Sequence, residues 1–287
     1  MNDYLDHVRS LEELHGLIER DLTSGTAEAT KMLVDDIKAV ADKILENAEK
    51  VVNRVYAESE AAVIRLTTEA KRGVEDIRKD AARAAADLVR EGKTGDGSKR
   101  DALAAEKIIK AAEKATKELN QKTADALKAL SEEAEAIAFK FKRITETAAR
   151  ELTEAEKEAV KKVSEAGKDA AAKFPTEPKA GDQDNEALQE KRLAAAEIIK
   201  ALAQAADDVH RASTQAAAKI QKASEEAQLS MRKAAKKAAI MINEAIDEAN
   251  EKIIRTTKKA IVDAVGEEEA EFFDLGPLKE KWVNREK

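Results

Sequence analysis

The sequence predicts an all-α protein, an elongated antiparallel bundle of three very long helices. Three observations carry that expectation. A large aliphatic residue returns every eleven positions through Leu33, Ile44, Val55, Leu66, Ile77 and Leu88. The same ladder recurs twice, as Ile108, Leu119, Leu130, Phe141, Leu152, Val163, Phe174 and as Ile198, Val209, Ile220, Met231, Ile242, Ile253, Ala264. Two breaker-rich stretches separate the ladders: Glu91 to Ser98, with three glycines, and Phe174 to Gly181, with two of the three prolines.

Eleven residues over three turns is about 3.67 per turn, slightly looser than a free α-helix, so a seam with this period stays straight or drifts into a gentle right-handed supercoil. Further rows accompany the first ladder, at Ile37, Ala48, Ser59, Ala70, Ala81 and at Val40, Val51, Ala62, Gly73, Ala84. Together the rows cover a sector of roughly 100°, the width of a stripe buried against partner helices. Asp36, Asn47, Glu58, Glu69 and Asp80 fall three residues after each rung and are polar.

The segment 1–25 reads as an N-terminal helical extension with Val8, Leu11, Leu14, Ile18 and Leu22 on one face. Leu11 and Leu22 are in phase with Leu33, which argues for continuity, whereas Thr23-Ser24-Gly25-Thr26 is a cluster of cap and breaker residues that argues for a break. The first long helix spans 26–90, a turn 91–99, the second helix 100–173, a Pro/Gly linker 174–185 and the third helix 186–266. Thr153 and Glu156 stand at capping-box spacing, but the ladder keeps phase across them and favours one helix. At 1.5 Å per residue the helices would be roughly 100–130 Å long. Similar lengths and short connectors imply an up-down-up bundle. The second and third ladders open alike, with Glu106-Lys107-Ile108-Ile109-Lys110 against Glu197-Ile198-Ile199-Lys200, through either internal duplication or chance in an Ala-rich chain.

Composition agrees: 38% of residues are charged and 3% aromatic, far from average globular usage. Ala, Glu and Lys are strong helix formers, and pairs four apart such as Glu46 with Lys50, Glu113 with Lys117 and Glu118 with Lys122 add a few tenths of a kcal/mol each. The net charge of −7 arises from 58 acids and 51 bases finely interspersed. No block of cations stands ready to hold a phosphate backbone, so nucleic acid is not expected as a partner. The absence of cysteine removes disulfides and thiolate metal sites. The start lacks the features of a secretory signal and no run reaches the ~18 apolar residues of a membrane span. A soluble, cytoplasmic protein is the expectation.

Catalytic chemistry is sought without result. His7, His15 and His210 are too scattered for a zinc site, and no phosphate loop, nucleophile elbow or His-Glu-x-x-His motif occurs. Helices packed side by side imply no concave pocket, so no catalytic, cofactor-binding or metal-binding residue is assigned and the chain is read as non-enzymatic. The candidate partner-binding residues are Phe272, Phe273, Leu275, Leu278 and Trp282, in a tail (267–287) that begins Glu267-Glu268-Glu269-Ala270-Glu271. Clustered aromatics after an acidic run either anchor another protein or plug the open end of the bundle. Phe139 is the sixth candidate. Phe141 occupies the ladder, so Phe139 lies off it, packing on a neighbouring helix or meeting another subunit or an apolar surface. A comparable widening occurs at Ile240, Met241, Ile242 and Ile246.

Eleven-residue repeats rich in Ala, Lys and Glu resemble, in a generic way, those of exchangeable apolipoproteins, phasins and late-embryogenesis proteins. The likeness covers all three helices and rests on period and composition. It implies amphipathic helices that coat a lipid, granule or other apolar surface. The right-handed stalk helices of rotary ATP synthases are similar too, but the membrane span expected at the start of that subunit has no counterpart here. Interfacial helices usually present bulky Leu, Phe and Trp opposite Lys and Arg, whereas many stripe positions here are alanine. A self-associating scaffold, alone or docking a partner through its tail, is therefore expected ahead of a peripheral lipid coat.

Overall fold

In the computed structural model the described residues are Ile18, 21–91, 97–173 and 185–267, and among them there is no strand. The protein is an all-α bundle of three long helices packed against each other: α1 (Leu22–Glu91), α2 (Gly97–Lys173) and α3 (Asn185–Val265). The chain forms two compact units, Met1–Asn53 with Ala138–Ala227 and Arg54–Ile137 with Gln228–Lys287. Each helix contributes to each unit. Unit 1 joins the start of α1, the end of α2 and the start of α3; unit 2 joins the end of α1, the start of α2 and the end of α3. In both, α2 runs against its two neighbours.

The beginning of α1 is set by a side chain that the sequence reading passed over. Asp21 Oδ1 accepts the backbone N–H groups of Thr23 (3.0 Å) and Ser24 (3.1 Å), satisfying two donors of the first turn as an N-cap residue does. Gly25 N–H closes the first helical bond to Asp21 C=O at 2.9 Å. The helix thus starts at Leu22, four residues before the expected 26. The break precedes the Thr23–Thr26 cluster. Thr26 is already helical, its hydroxyl donating to Leu22 C=O at 2.6 Å. An ideal Cβ on Gly25 would lie 2.6 Å from Ile18 Cα. Residues seven apart on one helix are separated by about 10 Å, so the in-phase Leu22 does not extend α1 backwards. Glycine is needed here because backbone meets backbone.

No restart occurs at Thr153: its hydroxyl donates to Ala149 C=O at 3.0 Å within unbroken helix. The end of α3 falls at Val265, with Gly266 terminating it. Gly266 has φ +94° and its N–H donates to Val262 C=O at 2.9 Å, an αL termination that suits a residue without Cβ.

All rungs of the first ladder are buried, and so are Ile108 to Val163 in α2 and Ile198 to Ile253 in α3, with Ala264 half-buried. The row at Ile37, Ala48, Ser59, Ala70 and Ala81 is buried too, whereas Val40, Val51 and Ala84 are half-buried at the margin. In unit 2 one apolar cluster joins Ile77 and Leu88 of α1, Ile108 and Leu119 of α2, and Ile253 and Ile261 of α3. Alanines between the rungs permit close approach, and two glycines do the same. In unit 1 a Cβ on Gly167 of α2 would stand 2.4 Å from Thr26 Cγ2 of α1; in unit 2 one on Gly73 of α1 would stand 3.0 Å from Ile246 Cδ1 of α3.

Candidate interaction surface

Charged residues are ordered beside the core as well as distributed over the surface. In unit 1, α2 and α3 are joined by Lys140–Glu226 (3.9 Å), Glu151–Lys219, Lys162–Asp208 (2.9 Å) and Lys173–Glu197 (2.9 Å). In unit 2 they are joined by Lys107–Asp263 (3.2 Å), Glu118–Lys252 and Lys122–Glu248. Most of these residues directly precede an apolar rung: 107, 118, 140, 151, 162 and 173 in α2; 197, 208, 219, 252 and 263 in α3. An ion ladder therefore runs alongside the apolar one. It lapses at Ala129, Ser230 and Met241, which hold the corresponding positions, Lys140 reaching Glu226 in place of Ser230. Within α1, Glu28 pairs with Lys31, Glu46 with Lys50 and Asp87 with Arg90.

The ladder shifts its members' protonation in the direction of pairing. Glu118 is held below the ordinary carboxylate range by the hydrogen bond from Lys252, and Lys252 is correspondingly raised. Asp208 and Lys162 shift each other likewise, and Glu248 is lowered by Lys122. Glu118, Lys122, Glu248 and Lys252 form a square of alternating charge across the helix pair. Every one of these groups is solvated, so the pairs add little to stability.

Of the candidate partner-binding residues, Phe272, Phe273, Leu275, Leu278 and Trp282 lie outside the described residues. Phe139 is 65% exposed. This overturns the expectation that it packs on a neighbouring helix: Phe141 fills the rung, and two residues along a helix rotate a side chain by about 200°. The widening in α3 divides. Ile242 is buried and Ile246 packs partly against the unit 2 core, but Ile240 (47%) and Met241 (38%) stay exposed. Leu229 (53%) joins them.

Sequence reading missed what surrounds these side chains. From Ala227 to Asn243 the chain contains no Asp or Glu, but it holds Arg232, Lys233, Lys236 and Lys237. All four cations are exposed, and among the described residues none has a carboxylate partner. A scan for acid-free windows would have found the stretch; counting charge over the whole chain hides it.

Among the described residues no group of three or more His, Cys, Asp or Glu is placed to hold a metal ion, and no helix is long and apolar enough to cross a membrane. His210 is exposed on α3; His7 and His15 lie outside the described residues. No family model matches the chain, and no curated protein is significantly similar to it.

Proposed function

We propose that this chain is a non-enzymatic structural protein, a helical scaffold that self-associates into an oligomer or filament. One observation carries the reading. Leu229 and Ile240 stand one repeat apart on the outward side of α3, with Val262 at the same position two repeats further on and Glu251 between, and the three apolar residues remain exposed after the core has been filled. Single exposed leucines are ordinary on a monomer; a repeated apolar position is the pattern expected of a contact surface. The core is complete without these residues, so another surface is what they would cover. A cytoplasmic setting belongs to the same reading, since a cysteine-free chain draws nothing from an oxidising compartment.

The test is sedimentation velocity over a concentration series. Species heavier than 31.3 kDa should grow with concentration. A single monomer boundary at every concentration would refute self-association.

A coat on lipid, granule or other apolar surface is the second reading, favoured by the four cations around Leu229 and Ile240. It is tested by flotation with anionic vesicles.

A further inference from the structure

The acid-free face of α3 is complementary to one other stretch of the same chain. At 100° per residue, Leu229 and Ile240 form the centre of a face on which Arg232, Lys233, Lys236 and Lys237 all lie within about 70° of that centre. Unpaired cations thus frame two exposed aliphatic side chains, entirely within unit 2. The C-terminal segment has the inverse chemistry: Glu267, Glu268, Glu269 and Glu271 lead directly into Phe272 and Phe273. Four anions beside two aromatic anchors match four cations beside two aliphatic ones, in a protein whose other charges are finely mixed.

The carboxylates of this segment cannot reach the four cations on their own chain. Lys237 lies 28 residues before Val265, about 42 Å back along α3 at 1.5 Å per residue. Glu271 lies six residues beyond Val265, and six extended residues span at most about 22 Å. The shortfall of about 20 Å exceeds what a lysine and a glutamate side chain bridge together.

We propose that the acidic and aromatic C-terminal segment of one copy docks on the Leu229–Ile240 face of a second copy, with Arg232, Lys233, Lys236 and Lys237 pairing its carboxylates and Leu229 and Ile240 receiving its phenylalanines. The proposal rests on the self-association reading and gives it a surface and a polarity. The two halves of the contact are different patches, so the association is head-to-tail and propagates until a ring closes or a filament grows.

The test uses three full-length chains: wild type, R232E/K233E/K236E/K237E, and E267K/E268K/E269K/E271K. All substitutions lie on the outward face or beyond α3, and circular dichroism with a thermal melt reports whether each chain folds like wild type. Each variant alone should self-associate at least about tenfold more weakly than wild type, since charge reversal opposes like charges at a docking patch. Mixed, they should assemble again, because the intact tail of one fits the intact face of the other and the reversed tail is likewise complementary to the reversed face. Should a variant fail to fold, a labelled peptide of residues 267–287 titrated against wild type replaces it, and high salt should release the peptide. Wild-type self-association unchanged in both variants would overturn the docking assignment while leaving the scaffold reading intact. Wild type that stays monomeric, with no peptide binding, would overturn both. Binding to phosphatidylserine vesicles that needs the four cations but is indifferent to the tail reversal would assign the face to lipid instead.

Discussion

The two units follow one repeat but seal their cores differently. In unit 1 the first rungs of α1 retain some exposure, with Leu22 at 6% and Leu33 and Ile44 at 7%; in unit 2 Val55, Leu66, Ile77 and Leu88 are at 1% or below. On α3 the contrast is partial, with Val209 and Ile220 at 7–8% but Ile198 of the same unit at 0%, against Met231, Ile242 and Ile253 at 1% or below; the α2 rungs are at 2% or below in both units. Both units flank their rungs mainly with alanine, unit 1 with Ala48, Ala205 and Ala216 and unit 2 with Ala70, Ala81 and Ala245; unit 2 adds Val74, Ile137, Ile254 and Ile261 where unit 1 adds Ile37 and Leu202. A ladder alone positions side chains; the bulk of the neighbouring rows excludes water.

The largest expected difference comes from charge placed in the drier core. Leu130→Asp or Val55→Asp buries an unpaired carboxylate in unit 2 and should cost several kcal/mol, collapsing the melting transition seen by circular dichroism. Unchanged melting would show that these rungs do not carry the core. Next in size, Leu66→Ala should cost about 4 kcal/mol and Leu33→Ala about 2 kcal/mol, the spread a site's capacity to relax produces. Chemical denaturation measures both, and equal losses would erase the distinction between the units. Hydrogen exchange sharpens it: amides of residues 22–53 should exchange before those of 54–91.

The glycines come third. Gly167→Ala meets Thr26, a β-branched side chain tied to Leu22 C=O, and should destabilise by about 1–3 kcal/mol through overpacking. Gly73→Ala meets Cδ1 and Cγ1 of Ile246 at 3.0 Å, a milder crowding that the gain of about 1 kcal/mol in helix propensity nearly offsets. Combining Gly73→Ala with Ile246→Val should raise the melting temperature above wild type, and a double variant less stable than Gly73→Ala alone would disprove the contact.

The smallest effect is that of pH. Glu118, Glu248 and Asp208 are lowered when folded. Their stabilisation is therefore present above the ordinary carboxylate value near ~4 and is lost as pH falls through and below it. Lys162 and Lys252 are raised, so theirs is present below the ordinary lysine value near ~10.4 and is lost as pH rises beyond it. The melting temperature should stay flat between these limits and decline modestly on either side. A steep dependence near neutrality would assign titrating groups other than these.

Much of the fold was legible because helix formation and an eleven-residue spacing are local properties that a chain displays directly. The three helices, their two interruptions and the identity of the buried rungs follow from residues such as Leu33, Leu119 and Ile242. What escaped depends on geometry between segments. Asp21 shows its capping role only once Thr23 and Ser24 turn toward it. Phe139 looked like packing because spacing tells which side chains leave a seam, not what waits for them. The ion ladder requires the register of α2 against α3, which fixes that 118 meets 252. For the candidate surface, Ile240 and Met241 were visible, the four cations were averaged away, and the tail residues from Phe272 to Trp282 remain outside the described structure.

A core whose contents recur every eleven residues is nearly identical to itself after a slide of eleven residues, so hydrophobic packing alone would tolerate α2 and α3 assembled one repeat out of step. The signs along the ion ladder remove that degeneracy. A shift in one direction would set Lys107 against Lys252 in unit 2 and Glu151 against Asp208 in unit 1; a shift in the other would oppose Glu118 with Asp263 and Lys162 with Lys219. Pairs that add little to the melting temperature thereby act as a vernier, selecting one alignment among several that the apolar seam cannot tell apart.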